Sequence, residues 1–389
     1  MSGFASPAGA TRWLGFPEST AGGAFRQAGS RRERRRGRMR RSVGGNRRFT
    51  RRILRENVSR RIPSACGSGA GRRFASGILV PAMLSPLLPV CPACHGGLES
   101  DSAGGEACSS CGAAWPKRAE VPVYLTDEEW RESVEHLERE REANDAYQRA
   151  RRGSPMARRY YDAWVGRMLA GLPEGAGPIV EPMCGGAEIC RRLPEGLLPA
   201  FAIDLDAPMV ERAARDLGCP GGRGERIVLA CGSAARLPLA DGSAGAVVIQ
   251  GGLHHARPLL PKVLREIARV LRPGGLLVAS EPANDNPVIR RIRAWQYRSS
   301  RFQGNDLEEE GFTREELAEA LAAAGLRLER YERFGFVAYP LMGNVDLVPL
   351  LARSDSKALA RTLLGLDALL ERIPVVRSFA WASLFRAVK

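Results

Sequence analysis

No apolar run in this sequence approaches the roughly 20 residues that a bilayer-spanning helix needs, so no transmembrane segment is expected. Acids are nearly missing from the first 82 residues, which hold only Glu18, Glu33 and Glu56, and lysine is missing there altogether. Against those three acids stand 19 arginines, a local balance of +16. The other 307 residues carry 39 basic and 40 acidic groups. The net charge of +15 therefore belongs to the leader. The chain beyond residue 82 lacks the basic surface that RNA binding demands, which argues against a nucleic-acid partner.

The leader also lacks hydrophobic periodicity and contains the run Arg31 to Arg38. Such a composition cannot bury enough apolar surface to offset ordering, so residues 1–82 are expected to be disordered. A basic arm for nucleic acid and an Arg-rich transit peptide are two readings. The third, an overextended start whose true first residue is Met83, fits best because Met83 to Cys91 leads directly into the next organised segment. Arg72-Arg73 is faintly like an export signal, but it lies deep in the chain, and Pro81, Pro86 and Pro89 interrupt the apolar residues after it. With nothing to indicate export, the cysteines are expected to be reduced and the protein cytoplasmic.

Cys91-x-x-Cys94 and Cys108-x-x-Cys111 are separated by 13 residues. Two such knuckles can each present two thiolates to one tetrahedral ion, which predicts a structural zinc on Cys91, Cys94, Cys108 and Cys111. The continuation Gly112 to Leu125 looks like the small zinc-ribbon domain that serves as an activator of some tRNA, rRNA and protein methyltransferases. That resemblance implies a ribbon over 83–126 acting as scaffold or substrate-side platform. A charged helix capped by Thr126 comes next, broken at Gly153-Ser154-Pro155, so 127–155 reads as a linker helix.

Pro178 to Ala187 is an apolar run ending in Glu181, then a small-residue turn before the helix-compatible Glu188 to Leu193. A second acid, Asp204, closes Phe201 to Asp204, 23 residues after Glu181. In a doubly wound α/β sheet that is where a carboxylate grips a ribose. The ligand class is thus a nucleoside-bearing cofactor. The set is completed by Val247 to His255 and by Leu271-Arg-Pro-Gly-Gly-Leu276. This ordered series resembles the class I S-adenosylmethionine-dependent methyltransferases, in particular the type that includes the ubiquinone/menaquinone methyltransferases. The resemblance is close from about Tyr160 to Glu281.

It implies an α/β, Rossmann-like seven-stranded sheet over 156–389, with S-adenosylmethionine held by Glu181, Cys184, Gly185, Gly186, Asp204 and Ser233. Met183 and Ala187 stand where the family has glycines. Ser233 stands for an acid facing adenine, and Gly245 for an acid taken to end the fourth strand. Asp206 reads as a helix N-cap. A histidine is the usual proton acceptor near neutral pH. His254 and His255 are therefore catalytic candidates, expected on opposite sides of a strand exit with His255 facing the cleft. Glu281 to Asn284 is the other polar group expected near substrate.

The C-terminal third predicts a helix opening at Thr313 to Glu316, a strand over 326–337 and a reversed final strand over 377–388. Between them, an apolar insertion near 339–374 suggests core packing, a dimer contact, or a lipophilic channel or membrane-surface contact. The expected function is methyl transfer to a small, lipophilic metabolite. An rRNA or tRNA methyltransferase and a catalytically degenerate scaffold are the alternatives.

Overall fold

The computed structural model describes residues 87–299, 311–345 and 347–389, together with a two-residue antiparallel strand pair, β1 (Arg72–Arg73) and β2 (Leu79–Val80). The remaining leader, including the Met83 start and Cys66, lies outside the described residues.

The four paired cysteines sit around a small antiparallel sheet of β3 (Leu98–Ser100), β4 (Glu106–Cys108) and β5 (Ala114–Trp115). The chain leaves it through β6 (Val123–Tyr124) and enters helix α1 (Asp127–Gly153), which opens on a full capping box between Thr126 and Glu129. Ser154 then caps α2 (Pro155–Leu169). Next come β7 (Ile179–Pro182), β8 (Ala200–Asp204), α3 (Ala207–Asp216), β9 (Ile227–Gly232), β10 (Ala244–Gln250), α4 (Leu260–Val270), β11 (Leu271–Pro282) and α5 (Pro287–Ser299). Beyond the undescribed stretch lie α6 (Arg314–Ala323), β12 (Arg327–Phe334), α7 (Pro349–Ala352), α8 (Lys357–Leu370) and β13 (Ala382–Val388).

The main sheet runs β12-β13-β11-β10-β7-β8-β9-β6. Eight strands stand where seven were expected. The extra one is β6, which leaves the ribbon and pairs in parallel with Cys231 and Gly232 of β9. Residues assigned to the ribbon's end thus belong to the main sheet. A two-residue strand carries too little periodicity to be read from sequence. β13 is antiparallel to both neighbours, as the reversed final strand was expected to be.

β7 and β10 are buried along nearly their whole length, the signature of parallel strands covered on both faces. One core lies between the sheet and α4, whose buried Leu260, Val263, Leu264, Ile267 and Ala268 follow the helical period. Cys91, Cys108, Trp115 and Tyr124 join that same core beside Phe201 and Ile203. The ribbon is therefore packed as part of the α/β unit. Tyr124 donates to Glu106 at 2.7 Å, and Arg223 pairs with the same carboxylate. Tyr160 packs with Met156, Met342 and Leu363 in a separate apolar cluster.

In this topology strand order reverses at β7, between β10 and β8. Ligands in open α/β sheets bind outside the carboxyl ends of the strands at such a switch point. Glu181, Asp204, Ser233 and the loop after Gln250 all stand at that edge.

Candidate cofactor site

Glu181 ends β7 almost wholly buried, and its two oxygens accept from the amides of Ile189 (3.0 Å) and Cys190 (2.8 Å). It clasps the chain that leaves the turn. Burial pushes its carboxyl up to about 7, against the two amides that favour its charged form. A raised carboxyl pKa stabilises the fold fully below the unfolded value, and that stability drains as pH rises through about 7. The melting temperature should thus fall between mildly acidic and mildly alkaline buffer. Glu181→Gln should flatten that step while costing about 1–3 kcal/mol, because its NH2 cannot accept from an amide. A thermal scan across pH on both proteins checks this; identical profiles would contradict it.

Between Glu181 and Ile189 the backbone makes a turn in which Met183 (φ 54°), Gly185 (φ 49°) and Ala187 (φ 55°) are all left-handed. The two positions lacking the family's glycine adopt the conformation glycine would supply, at a strain of about 1–2 kcal/mol each. The expected helix over 188–193 does not form; a single 3-10 turn, Cys190–Arg192, stands in its place. Only six residues separate left-handed Ala187 from Pro194, and the residue before a proline is driven extended. Cys184 is buried, and burial lifts its thiol well above its ordinary value, with Asp204 and Glu181 adding to the effect. It is a neutral packing group whose backbone shapes the turn.

Asp204 ends β8 and reaches back to the turn: one oxygen accepts from the Gly185 amide at 2.8 Å, the other from the Asp206 amide at 3.0 Å. Each oxygen keeps acceptor capacity for a further donor. Asp206 caps α3 as expected, accepting from Met209 at 2.9 Å. Leu205 between them leaves its side chain 44% exposed, an apolar surface beside the carboxylate. Ser233 follows β9 and its hydroxyl accepts from the Ala235 amide at 3.2 Å, leaving its own hydrogen to donate.

Arg152, on α1, is a candidate that sequence reasoning missed. Its Nη2 is buried without a hydrogen-bond partner and lies 2.6 Å from where a Cβ on Gly186 would stand. Burial pulls its guanidinium down from the ordinary value; Glu188 opposes this, while Arg191, Arg151 and Arg212 reinforce it. A desolvated cation against a glycine turn is a position that an anion would relieve. Nothing in a charged-helix pattern distinguishes this arginine from its neighbours.

His254 and His255 lie in the turn after β10, beyond the strand. Their rings do not point apart but lie 4.1 Å from each other at 34°. His254 is buried and its Nδ1 is 2.7 Å from Glu281, whereas His255, the one expected in the cleft, is exposed. The fully buried Glu281 also accepts from the amides of Gly252, Leu253 and His254. It fixes the loop and the imidazole together, the ring being held through Nδ1. Asn284 is buried, and its Oδ1 accepts from Arg293 of α5 at 3.1 Å. Gly245 opens β10, at the end opposite to the one expected, and a Cβ there would fall 2.1 Å from the Ala176 carbonyl.

The four sulfurs lie within 4.8 Å of one another, with Cys91 and Cys111 3.7 Å apart and Cys94 and Cys108 3.4 Å apart. A tetrahedral ion at about 2.3 Å per sulfur sets its ligands roughly 3.8 Å apart. The amides of Cys111 and Ser110 favour the Cys108 thiolate, against burial, while, against the Gly96 amide, the neighbouring thiols of Cys111 and Cys108 push the Cys94 thiol up. The donor set fits zinc.

Residues 180–279 match the family model described as a methyltransferase domain. Over 112 residues the chain is 35% identical to a dimethylglycine N-methyltransferase of Parasynechococcus marenigrum, covering 28% of this chain and 39% of that protein. Over 55 residues it is 47% identical to a demethylmenaquinone methyltransferase of Beutenbergia cavernae, 14% and 22% of the two chains. The chain thus spans about two fifths or less of the length of both curated relatives. Among solved structures, an S-adenosylmethionine-dependent methyltransferase from Mesorhizobium loti aligns with a TM-score of 0.40 and 20% identity, over 57% of this chain and 96% of that one. Residues 180–279 of the chain are thus a segment of the methyltransferase-domain type.

Proposed function

We propose that this protein transfers a methyl group from S-adenosylmethionine to a small, lipophilic metabolite, with a zinc-held ribbon as structural support. The carrying observation is the meeting of Asp204, the Gly185-Gly186 turn and the unpartnered Arg152 Nη2 at the carboxyl edge of β7 and β8. These groups suit the three ends of that cofactor: a ribose diol for Asp204, bare backbone for the chain between, and an amino-acid carboxylate for Arg152. Ser233 and the apolar face of Leu205 suit the adenine. Bound there, S-adenosylmethionine supplies an already activated methyl on its sulfonium.

The chain's own work is positioning. Glu181 fixes the turn, Asp204 joins the turn to the ribose site, and Arg152 neutralises the far end. His254, oriented by Glu281, takes the proton of an oxygen or carbon nucleophile at Nε2. The lipophilic substrate is favoured by the exposed apolar side chains of the C-terminal insertion, Leu350, Leu369 and Val375 among them. The demethylmenaquinone methyltransferase among the relatives is in keeping with it. Cys91, Cys94, Cys108 and Cys111 would hold a zinc ion, whose four thiolates would leave it a structural role.

Transfer of radiolabel from S-adenosylmethionine to extracted lipid, metabolite and RNA fractions tests the reading. Label in a lipid or small-metabolite fraction is expected. Label in RNA alone would overturn the substrate class, and label nowhere, with intact cofactor binding, would leave the scaffold reading.

A further inference from the structure

Among the described residues, eleven of the thirteen exposed large apolar side chains fall in two places: α5, with Val288, Ile292 and Trp295, and the stretch from Leu347 to Phe379. The two are contiguous, since Asn286 before α5 reaches Ser378 at 3.5 Å and Arg293 donates to the Trp381 carbonyl at 2.6 Å.

Each of the two helices, α5 and α8, has three faces. On α8, at about 100° per residue, Ala360, Leu363 and Asp367 form the buried stripe. Leu359, Leu366 and Leu369 form a second apolar stripe that is exposed, continued by Ile373 in the next turn. Lys357, Arg361 and Arg372 occupy the side beyond. On α5, Ile289 and Arg293 are buried, Val288, Ile292 and Trp295 are exposed, and Arg290 and Arg291 flank them.

Among the described residues of this surface the charge is of one sign. α5 has no acid at all. On α8 Asp367 is turned inward, accepting from the amides of Phe336, Val337 and Ala338. Glu371 is taken by Arg167 at 2.7 Å, and Asp355 by Arg159. What remains outward is an apolar stripe beside unopposed cations, with a tryptophan on it.

We propose that this double surface, α5 together with α8 and the segment to Phe379, docks the protein onto an anionic phospholipid bilayer. A helix with one apolar and one basic exposed face lies in the interface with its apolar side among the acyl chains, and a tryptophan sits well at that depth. The cations meet lipid phosphates. No helix of the described residues is long and apolar enough to cross the membrane, so the contact is peripheral. The inference deepens the lipophilic-substrate reading, because α5 follows directly from β11 at the edge of the sheet where the cofactor site lies. It stands on its own observations, since membrane docking and methyl transfer are measured separately.

The test uses the full chain and vesicles of phosphatidylcholine with phosphatidylglycerol, some lipids brominated in the acyl chain. The basic leader also attracts anionic vesicles, so two readouts separate the patch from it. Brominated lipid should quench the wild-type tryptophan fluorescence, and Trp295→Phe should remove most of the quenching. At about 0.3 M salt, where purely electrostatic contact is screened, wild type should still sediment with vesicles and the double variant Leu369→Asp/Val375→Asp should bind more than about ten-fold less. Both sites are exposed, so the variant should keep its melting temperature. Quenching unaffected by Trp295→Phe, or equal vesicle binding by the double variant, would overturn the proposal. So would a wild-type dimer in solution that the double variant breaks, since a second copy would then be the occupant.

Discussion

Cys108→Ser, or chelation of the metal, should destabilise the whole α/β unit and weaken its cofactor binding. The sequence alone suggests the opposite: a ribbon that unfolds locally beside a domain with its own core. But Cys91 and Cys108 share a core with Phe201 and Ile203, and Val90 donates to the Pro238 carbonyl at 2.9 Å. β6 adds an edge strand to Cys231 and Gly232, one residue before Ser233, a candidate cofactor contact. Ligand assembly by structural zinc is coupled to folding by about 10 kcal/mol or more in isolated fingers, comparable to the roughly 5–15 kcal/mol of a whole domain. One cooperative transition at a markedly lower temperature is expected, with one zinc per wild-type chain by metal analysis. A two-step melt in which the main transition stays put would show the ribbon to be independent.

His254→Ala should lower turnover about 10²- to 10⁴-fold, the usual contribution of a general base, with little change in S-adenosylmethionine affinity. His255→Ala should do much less, since its ring is exposed and the Glu281 carboxylate binds its neighbour's Nδ1. Glu281→Gln should fall between. It keeps a carbonyl for some of the loop amides but loses one of the two acceptor oxygens that hold the loop and the imidazole. Single-turnover kinetics with the cofactor saturating reads all three. Small and equal losses in the two histidine variants would mean that the reaction runs on positioning alone, as an already nucleophilic substrate permits.

What was legible in the sequence is what rests on local pattern. The capping boxes at Thr126 and Thr313, the N-cap Asp206 and the break at Ser154-Pro155 fall where side chain and backbone decide within one turn. The cysteine spacing likewise brought four sulfurs together. What was missed depends on contacts between distant segments. Arg152 gains meaning only when α1 is laid against Gly186; Glu281 was named as a polar group near substrate, but its hold on the loop shows only when β11 runs beside β10. Asp367, in the middle of an apolar helix, reads as an oddity until it is seen receiving three amides from the chain after β12. The relative orientation of the histidine pair differs from the expected one for a local reason. Alternation of side chains holds along a strand, but these two residues are in the turn beyond it, where both rings fall on the same side.

The central claim is that the edge formed by β7 and β8 holds S-adenosylmethionine, and calorimetry on wild type and Asp204→Ala tests it most directly. Wild type should bind one equivalent. Asp204→Ala should bind about ten- to a hundred-fold more weakly, since charge-assisted hydrogen bonds of roughly 1.5–3 kcal/mol are lost. No binding to the wild-type chain, or an unchanged dissociation constant in the variant, would contradict it.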